Sequence, residues 1–386
     1  MFLDVLMRRN RPFLDTVIAL HREQRIPANA YALDLDAVEA NTRVLASEGA
    51  RHGLEVLAMT KQVGRAPAFM DAVRAGGIAA GVAVDMQDAR ALRDGGLAVG
   101  HIGHLVQVPR AEAAAAAAVD PAYWTVFSDD KAAEAAAAAT REQALLARIK
   151  TLGDVFYSGH EGGFEADDVV AVAERLDRLE GARFAGITTF PALLFDAATG
   201  EARPTPNLAT LERAAELLRG AGFADVVVNA PGTTSSAVYP LLAAAGATQV
   251  EPGHGLTGTT PLHAVRDLAE IPAACYVTEV SHLHDGRAYA FGGGFYVDPV
   301  FPEYRLRALL ADGDEARLVD ASIPPPSAID YYGQLDYGDS PPRTGATVVF
   351  GFRIQAFVTR AYVVGIRGRD VDGIWHGDGR EAAWPL

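Results

Sequence analysis

The residues best suited to chemistry lie where short apolar runs of strand type end. Lys61 follows the first of these runs, and a lysine amine is a nucleophile that can bind an aldehyde as a Schiff base. The later runs also end on polar or titratable side chains: Asp85, His104, Ser128, Lys150, Thr188 with Thr189, Asn229 and Glu251. A single lysine at a strand end is most often a solvated loop residue. Its meaning depends on whether the elements between these residues bring them together.

Those elements alternate regularly between strand-like and helix-like segments. Many of the helical segments are rich in alanine, the strongest helix former. The pattern predicts eight strands: Leu54–Thr60, Gly77–Val84, Val99–Val106, Tyr123–Phe127, Leu145–Thr151, Phe184–Thr189, Asp225–Val228 and Ala247–Val250. Strand-then-helix units of this number over roughly 200 residues favour an α/β fold of the TIM (β/α)8 barrel type, with a doubly wound open sheet as the alternative. In a barrel all strand ends share one rim, so the polar residues would form a site.

The pattern changes after Pro261, where strand-like segments are separated by turns with little helix. The sequence therefore predicts a barrel domain over 26–270 and a C-terminal β-rich domain over 271–386, with residues 1–25 forming an N-terminal helix that packs on either. His282 and His284 alternate around Leu283 in the second domain. They have no companion ligands, so no metal site is predicted there.

The loops after the seventh and eighth strands have the composition of an anion site. They run from Asn229 to Ser236 and from Glu251 to Gly258, and they are rich in hydroxyls and glycines. Phosphate groups bind at these two loops of a TIM barrel because backbone N–H groups and a helix N-terminus face them. The candidates are Asn229, Thr233, Thr234, Ser235, Gly253, His254 and Gly255. A phosphate site opposite a strand-end lysine supplies the two anchors that pyridoxal 5'-phosphate (PLP) needs.

Charge and composition favour a small-molecule ligand. The chain has 34 basic and 49 acidic side chains and a net charge of −15, which disfavours nucleic acid and anionic membranes as partners. The single Cys275 excludes an internal disulfide and suits a reducing cytoplasm. At the N-terminus Asp4 precedes Arg8 and Arg9, which is the reverse of a signal peptide. A cytoplasmic protein without membrane spans is expected.

Segments spread over essentially the whole chain carry a family resemblance: Ala32–Asn41, Met59–Arg65, Ala83–Asp85, Gly103–Pro109, Asn229–Pro231, Glu251–Gly258, Phe291–Gly294 and Phe352–Arg360. They resemble the alanine racemase N-terminal-domain superfamily of fold type III PLP enzymes, and within it the YhfX-type proteins. The resemblance implies that Lys61 binds PLP as a Schiff base. It also implies a homodimer with active sites near the subunit interface, and an amino acid substrate.

An amino acid racemase or epimerase that removes and returns the Cα proton is the activity that the resemblance favours. Lys61 would be the base on one face, and His104 would orient the ring or serve as an acid/base. The second acid/base of alanine racemases is a tyrosine of the partner's β-domain, and Tyr296 lies near where that tyrosine falls. Tyr331 and Tyr332 are the competing tyrosines. The candidates for binding the substrate are Arg353, Arg360 and Tyr331, the arginines through a bidentate pair with its carboxylate.

The sequence also departs from alanine racemases. Glu251 stands where they carry an arginine facing the pyridine nitrogen, and Glu251-Pro-Gly resembles the motif of fold type III decarboxylases. Thr189 stands where related sequences often have histidine. Asp85 and Asn229 would support the cofactor from outside the reacting atoms. A decarboxylase or lyase is therefore the alternative activity, and a PLP carrier without turnover is a third.

Overall fold

A computed structural model describes residues 1–296, 300–301, 305–325 and 327–384. The chain forms two compact units. The barrel unit comprises Thr42–Thr60 and Val73–Gly253, and the β unit comprises Met1–Asn41, Lys61–Ala72 and His254–Leu386. Among the described residues, every helix is too short or too polar to cross a membrane.

Short parallel strands form a nearly closed barrel in the barrel unit. The first strand position is divided at Leu57, so that Glu55–Val56 pairs with Gln249–Val250 and Ala58–Met59 pairs with Ala80–Ala83. With these two pieces counted as one, the barrel has the strand number of a TIM barrel, and the predicted fold is confirmed. The remaining barrel strands are Ala98–Ile102, Tyr123–Val126, Gln143–Lys150, Ala182–Thr188 and Val227–Asn229, and Phe164–Glu165 pairs beside the fifth.

The helices between the strands follow the predicted alternation. Two of them begin at side-chain caps: Asp85 accepts from the Asp88 amide, and Ser128 accepts from the Lys131 amide. The helices are Leu35–Arg51, Pro67–Ala75, Met86–Asp94, Ala113–Ala118, Asp129–Ala138, Val169–Asp177, Pro206–Gly220 and Tyr239–Ala244. Short 3-10 turns precede several of them: Lys61–Val63, Arg110–Glu112, Ala166–Asp168 and Ser236–Val238. A hairpin of Leu193–Asp196 and Glu201–Pro204 extends the loop after the sixth strand.

An antiparallel β-barrel forms the C-terminal part of the β unit. It closes because Arg287–Phe291 pairs with both Ala274–His284 and Tyr332–Asp336. The other members are Arg307–Asp312, Glu315–Ser322 and Thr347–Phe350. This confirms the predicted β-rich C-terminal domain.

The N-terminal residues belong to the β unit. Ala30–Asp34 pairs antiparallel with Ala274–His284 on one side and parallel with Tyr362–Arg367 on the other. Asp370–Trp375 pairs with Tyr362–Arg367 and forms the edge of the sheet. The helices Phe2–Arg9 and Arg11–Arg22 bury apolar side chains in the core of this sheet, and Pro261–Val265 is a further short helix. The compact units follow these contacts, and the domain limits of 26–270 and 271–386 stay a prediction. The hydrogen-bonding partners of a short strand lie far away in the chain, and local sequence does not specify them.

Candidate active site

The carboxyl ends of the barrel strands carry the polar side chains that the sequence analysis singled out. Asn229 is the last residue of its strand, Glu251 follows Gln249–Val250, and Thr60 follows Ala58–Met59. The first and last strand ends are joined by the Met59 amide, which donates to the Pro252 carbonyl oxygen at 3.0 Å. Parallel barrel strands end at one rim, and that rim holds the active site in TIM-barrel enzymes.

Glu251 is the centre of a buried polar network at this rim. Its Oε1 lies 2.6 Å from Nδ1 of His101 and accepts from Nδ2 of Asn229 at 2.9 Å. Nε2 of His101 lies 2.6 Å from the Thr125 hydroxyl. The Asn229 amide is itself fixed, because its Nδ2 also donates to Gln249 at 2.6 Å and its Oδ1 accepts from Thr188 at 2.7 Å. The carboxylate is thus held in one orientation.

The surroundings of Glu251 keep it ionised. Burial by itself would raise the pKa of this carboxyl. The facing rings of His104 and His101 and the hydrogen bonds from His101 and Asn229 outweigh that effect and lower the pKa from 4.5 to about 2. Oε2 lies 3.5 Å from Nε2 of His104. Glu251 is therefore a negative charge at neutral pH.

Aromatic rings continue from His104 towards the surface. The centroid of the buried His104 ring lies 5.7 Å from that of Phe190. Phe190 in turn lies 5.7 Å from Tyr157 and 6.0 Å from His160. Tyr157 is 46% exposed. The loop 151–163 after the fifth strand thus brings its own aromatic side chains to the rim.

Arg148 fastens this loop to the fifth strand. Its Nη2 donates to the carbonyl oxygens of His160 at 2.9 Å and Phe190 at 3.1 Å, and its guanidinium carbon lies 4.9 Å from the centroid of the Phe127 ring. Burial lowers the pKa of Arg148 to about 10, so the side chain is still cationic at neutral pH. A buried cation at the rim favours an anionic ligand.

Five buried polar atoms at the rim have no hydrogen-bond partner among the residues that the structure describes. They are Thr60 Oγ1, Arg148 Nε, Thr189 Oγ1, Ser235 Oγ and Glu251 Oε2. Buried polar groups in proteins are nearly always hydrogen-bonded, because each unpaired one costs about 1–3 kcal/mol. Four of these atoms belong to residues at strand ends or in the loop after the seventh strand, and Arg148 lies two residues before the end of its strand. This grouping indicates a bound polar ligand. The set includes a cationic donor and an anionic acceptor, so the ligand would carry both an acceptor and a donor.

The loop after the seventh strand approaches the hairpin strand Leu193–Asp196 closely. The Thr233 amide donates to the Leu193 carbonyl oxygen at 3.2 Å, and Thr234 Oγ1 donates to Gly232 at 3.1 Å. A Cβ at Gly232 would lie 2.7 Å from backbone atoms of Leu193, so glycine is required there. Ser235, which precedes the turn Ser236–Val238, is buried. Among the predicted phosphate ligands in this loop, Ser235 has a buried hydroxyl without a hydrogen-bond partner in the described part of the chain.

Lys61 lies in the β unit, one residue after Thr60. Its Nζ is 4.6 Å from the centroid of the Phe357 ring. In the same unit Nε2 of His254 lies 2.9 Å from the Ile354 carbonyl oxygen, which can only accept. Burial first, then the nearby charges of Arg353 and Lys61, place the pKa of His254 well below 6.5. His254 is therefore a neutral donor, and Gly253 and Gly255 flank it in the chain.

Two of the β-domain candidates, Tyr296 and Arg360, help to line a cavity of about 320 Å³ in the β unit, together with Asp330. Arg360 pairs with Asp330 at 2.9 Å, and its guanidinium carbon lies 5.9 Å from the Tyr331 ring centroid. Arg360 and Tyr331 are 56% and 64% exposed. A substrate carboxylate at Arg360 would therefore compete with Asp330.

Two other predicted features have structural contacts of their own. Asp85 accepts from the Asp88 amide at 2.8 Å as a helix cap. The His282 ring stacks on Tyr289 with centroids 4.7 Å apart, and the His284 ring lies 6.4 Å from Tyr289. These contacts are those of a cap and of aromatic packing on a sheet.

Sequence reasoning missed His101 and Arg148. Both lie inside strands, Ala98–Ile102 and Gln143–Lys150, where their neighbours are apolar. Their residue type could have identified them, because a histidine or an arginine inside a predicted buried strand needs a hydrogen-bonding partner. His101 and His104 are also separated by three positions, and together with Glu251 they bring three ligand atoms within 4.8 Å of one another. The hydrogen bond between His101 and Glu251 already occupies two of those atoms.

Family models match two parts of the chain. Residues 33–261 match "Alanine racemase, N-terminal domain", and residues 275–373 match "YhfX-like, C-terminal domain". The chain therefore belongs to the alanine racemase N-terminal-domain family, with a YhfX-like C-terminal domain, and the resemblance seen in the sequence is confirmed. It is 36% identical over 373 residues to the uncharacterized protein YhfX of Escherichia coli (strain K12), a match that covers 95% of each chain.

Solved structures with a similar fold have less similar sequences. D-threonine aldolase from Filomicrobium marinum has a TM-score of 0.66 at 18% identity, covering 92% of this chain and 96% of that one. D-threo-3-hydroxyaspartate dehydratase from Delftia sp. HT23 has a TM-score of 0.63 at 19% identity, covering 93% and 98%. Alanine racemase from Corynebacterium glutamicum has a TM-score of 0.60 at 18% identity, covering 84% and 90%. One fold thus supports a racemase, an aldolase and a dehydratase.

Proposed function

We propose that this protein is a PLP-dependent enzyme that acts at the Cα of an amino acid, with racemisation or epimerisation as its reaction. The observation that carries the proposal is the group of five buried polar atoms without partners among the described residues, which includes Oε2 of the ionised Glu251. Members of the alanine racemase-like family generally use PLP, which supports the choice of ligand. PLP has a phosphate and a phenolic oxygen to accept hydrogen bonds and a ring nitrogen that donates when protonated.

The following residues are the proposed ligands of PLP. Lys61 would bind it covalently, Ser235 with Thr233 and Thr234 would face the phosphate, and Glu251 would face the ring nitrogen. Gly253, His254 and Gly255 follow Glu251 in the chain and are proposed as neighbours of the same group. When bound, PLP draws electrons from the bonds at the Cα of an attached amino acid.

The chain's own residues then determine which proton moves. Glu251, ionised by its network, favours a proton on the ring nitrogen. The Lys61 amine is the proposed base that takes the Cα proton on one face, and the Tyr296 hydroxyl is the proposed acid/base for the opposite face, with His104 orienting the ring. Arg353 and Arg360 are the proposed partners of the substrate carboxylate, with Tyr331 beside Arg360.

The alternative activity is a decarboxylation or lyase reaction on the same cofactor. Glu251 favours it, because a carboxylate at the ring nitrogen makes PLP a strong electron acceptor whichever bond breaks. A PLP carrier without turnover is disfavoured by the C-terminal β-domain.

A cytoplasmic location and a homodimer are also proposed. The homodimer is supported by four exposed apolar or aromatic side chains, those of Ile329, Tyr331, Tyr332 and Phe291. Light scattering would measure the mass of the protein in solution.

We expect the purified protein with PLP to exchange the Cα proton of one or more amino acids for deuterium in D2O. The reason is that Lys61 and a second acid/base exchange protons with solvent between removal and return. Proton NMR measures loss of the Cα signal, and chiral chromatography measures inversion. Exchange with inversion supports the racemase, and release of CO2 or of an aldehyde supports the alternative. Absence of every reaction across the common amino acids in both configurations would contradict an enzymatic role.

Replacing Ser235 with alanine is expected to weaken PLP binding about 10- to 100-fold. A hydrogen bond to a charged group contributes about 1.5–3 kcal/mol, and each 1.4 kcal/mol is a factor of about ten in affinity. Titration of the PLP-free protein, followed by absorbance, measures the change. The matched control is Ser128→Ala, which removes a helix cap at another strand end and should lower the melting temperature without changing PLP affinity. Equal weakening by both variants would count against Ser235 as a phosphate ligand.

A further inference from the structure

The network around Glu251 assigns the hydrogen positions of His101. Nδ1 of His101 faces a carboxylate at 2.6 Å, and Nε2 faces a hydroxyl at 2.6 Å. The carboxylate can only accept, whereas the Thr125 hydroxyl can donate or accept. A neutral ring with its proton on Nδ1 therefore donates to Glu251 and accepts from Thr125. This arrangement satisfies all three groups.

The other protonation states leave a group unsatisfied. With the proton on Nε2 alone, the Nδ1 lone pair would face the Glu251 oxygen at hydrogen-bond distance, which is repulsive. With both ring nitrogens protonated, the Thr125 hydroxyl would have to accept, and its own proton would have no acceptor among the described residues. Thr125, His101 and Glu251 have almost no exposed surface, so water does not compensate readily.

The carboxylate's two oxygens consequently differ. Oε1 receives two N–H donors, from His101 and Asn229. Oε2 lies 3.5 Å from Nε2 of His104 and makes no hydrogen bond to any described residue. Of the two carboxylate oxygens, Oε2 is therefore the one that can accept a hydrogen bond from a ligand.

We infer that His101 is a positioning residue which, locked by Thr125 in its neutral Nδ1–H form, donates to Oε1 of Glu251 and thereby presents Oε2 as the acceptor for a cationic N–H group. Thr125 acts through His101, and Asn229 is the second donor to Oε1. If the proposed function holds, the N–H group is the protonated ring nitrogen of PLP. The network itself requires only that a ligand of this rim offer a positively charged donor.

Two other uses of these residues are less consistent with the geometry. A hydroxyl, a histidine and a carboxylate in this order resemble the arrangement that activates a nucleophile in hydrolases. In this network, however, the atom without a hydrogen-bond partner among the described residues is Oε2 of Glu251 and not the Thr125 hydroxyl. A metal ion ligated by His101, His104 and Glu251 would need atoms about 2.0–2.2 Å from it. It would have to displace the 2.6 Å hydrogen bond between His101 and Glu251.

The first test is NMR of the full-length protein with 15N-labelled histidine, with and without PLP at neutral pH. His101, assigned by comparison with His101→Asn, is expected to have a protonated Nδ1 and an unprotonated Nε2 even without PLP. Thr125→Val keeps the side-chain shape but removes the hydroxyl that donates to Nε2, so the 15N resonance of Nε2 should shift to that of an acceptor without a hydrogen bond while Nδ1 stays protonated. A doubly protonated ring, an Nε2–H tautomer, or a ring unaffected by Thr125→Val would overturn the inference. Because the PLP-free protein gives the result, failure to bind PLP would bear only on the proposed function.

The second test is the pH dependence of the melting temperature between pH 3 and pH 8. The folded-state pKa of Glu251 lies below its ordinary value of 4.5, so its stabilising effect is present above pH 4.5 and is lost as the pH falls through the folded-state pKa. In His101→Phe the buried carboxylate loses a donor and its pKa rises. The variant should therefore melt furthest below the wild type at pH 7–8, and the difference should shrink as the pH falls below about 5.

Matched variants separate this effect from a packing defect. His101→Asn retains an N–H donor near the position of Nδ1 and should recover most of the stability lost in His101→Phe. Among the described residues the titratable groups that face Glu251 are His101 and His104, so His104→Phe tests the other one. A pH-independent deficit in His101→Phe, or a pH-dependent deficit confined to His104→Phe, would overturn the role of His101. If His101→Phe does not fold, the NMR spectra and melting temperatures of His101→Asn and Thr125→Val, compared with those of the wild type, still test the role of His101.

Discussion

Replacing Lys61 with alanine is expected to abolish covalent binding of PLP and the visible absorbance that accompanies it. The chain contains only three lysines, Lys61, Lys131 and Lys150, so few amines are available for a Schiff base. Lys131 donates to the Val108 carbonyl at 2.8 Å and to Glu134 at 2.6 Å, and Lys150 pairs with Glu165. Lys61 alone follows a barrel strand that ends beside the Glu251 strand. Absorbance spectra of wild type and variant measure the effect.

Chemical trapping makes this experiment site-specific. Borohydride reduction of the wild type in the presence of PLP, followed by peptide mass analysis, should locate the pyridoxyl group on the peptide that contains Lys61. Lys131→Ala and Lys150→Ala are the matched controls and should retain the full absorbance. Label on either of those peptides, or an unchanged spectrum of Lys61→Ala, would refute the assignment of the cofactor lysine.

Replacing Glu251 with glutamine is expected to lower the rate of Cα deuterium exchange by about 10²–10³-fold, the effect typical of removing one well-placed electrostatic partner. The amide oxygen of glutamine still accepts from His101 and Asn229. Its NH2 group, however, would stand in place of Oε2 and present a donor where a carboxylate accepts. Exchange rates in D2O at saturating PLP measure the loss, and the absorbance titration measures whether PLP still binds.

Glu55→Gln provides a control for this substitution. Glu55 is also a carboxylate that accepts from a barrel residue, with Gln249 Nε2 at 2.7 Å, but it lies at the start of its strand and is exposed. The exchange rate of Glu55→Gln should equal that of the wild type. Full activity of Glu251→Gln would show that the carboxylate does not act on the cofactor.

Much of the barrel was accessible from local sequence. The eight predicted strands all occur, and helices alternate with them as predicted, because apolar runs and alanine-rich segments are local signals. The polar ends of the strands followed from the same signals, since a parallel barrel brings strand ends to one rim. Lys61, Asn229 and Glu251 stand out in this way from the sequence alone.

Other features depend on contacts between residues distant in the chain. His101 and Glu251 are 150 residues apart in the chain, and strand register brings Nδ1 of His101 to 2.6 Å from Oε1 of Glu251. The same register pairs His101 with Thr125. Ala30–Asp34 pairs with Ala274–His284 and Tyr362–Arg367, which lie far from it in the chain. Strands such as Arg307–Asp312 and Tyr332–Asp336 were not predicted, because a β-strand is stabilised mainly by cross-strand neighbours.

The sequence by itself therefore determined the barrel, the strand-end lysine and the carboxylate after the last strand. These follow from periodicity, turn residues and side-chain type, which act over a few positions. Only the tertiary structure decided which side chains Glu251 contacts, which of its oxygens is left to accept, and which unit the N-terminal residues join. Those properties depend on strand register and nonlocal hydrogen bonds, and a shift of one residue would change every partner.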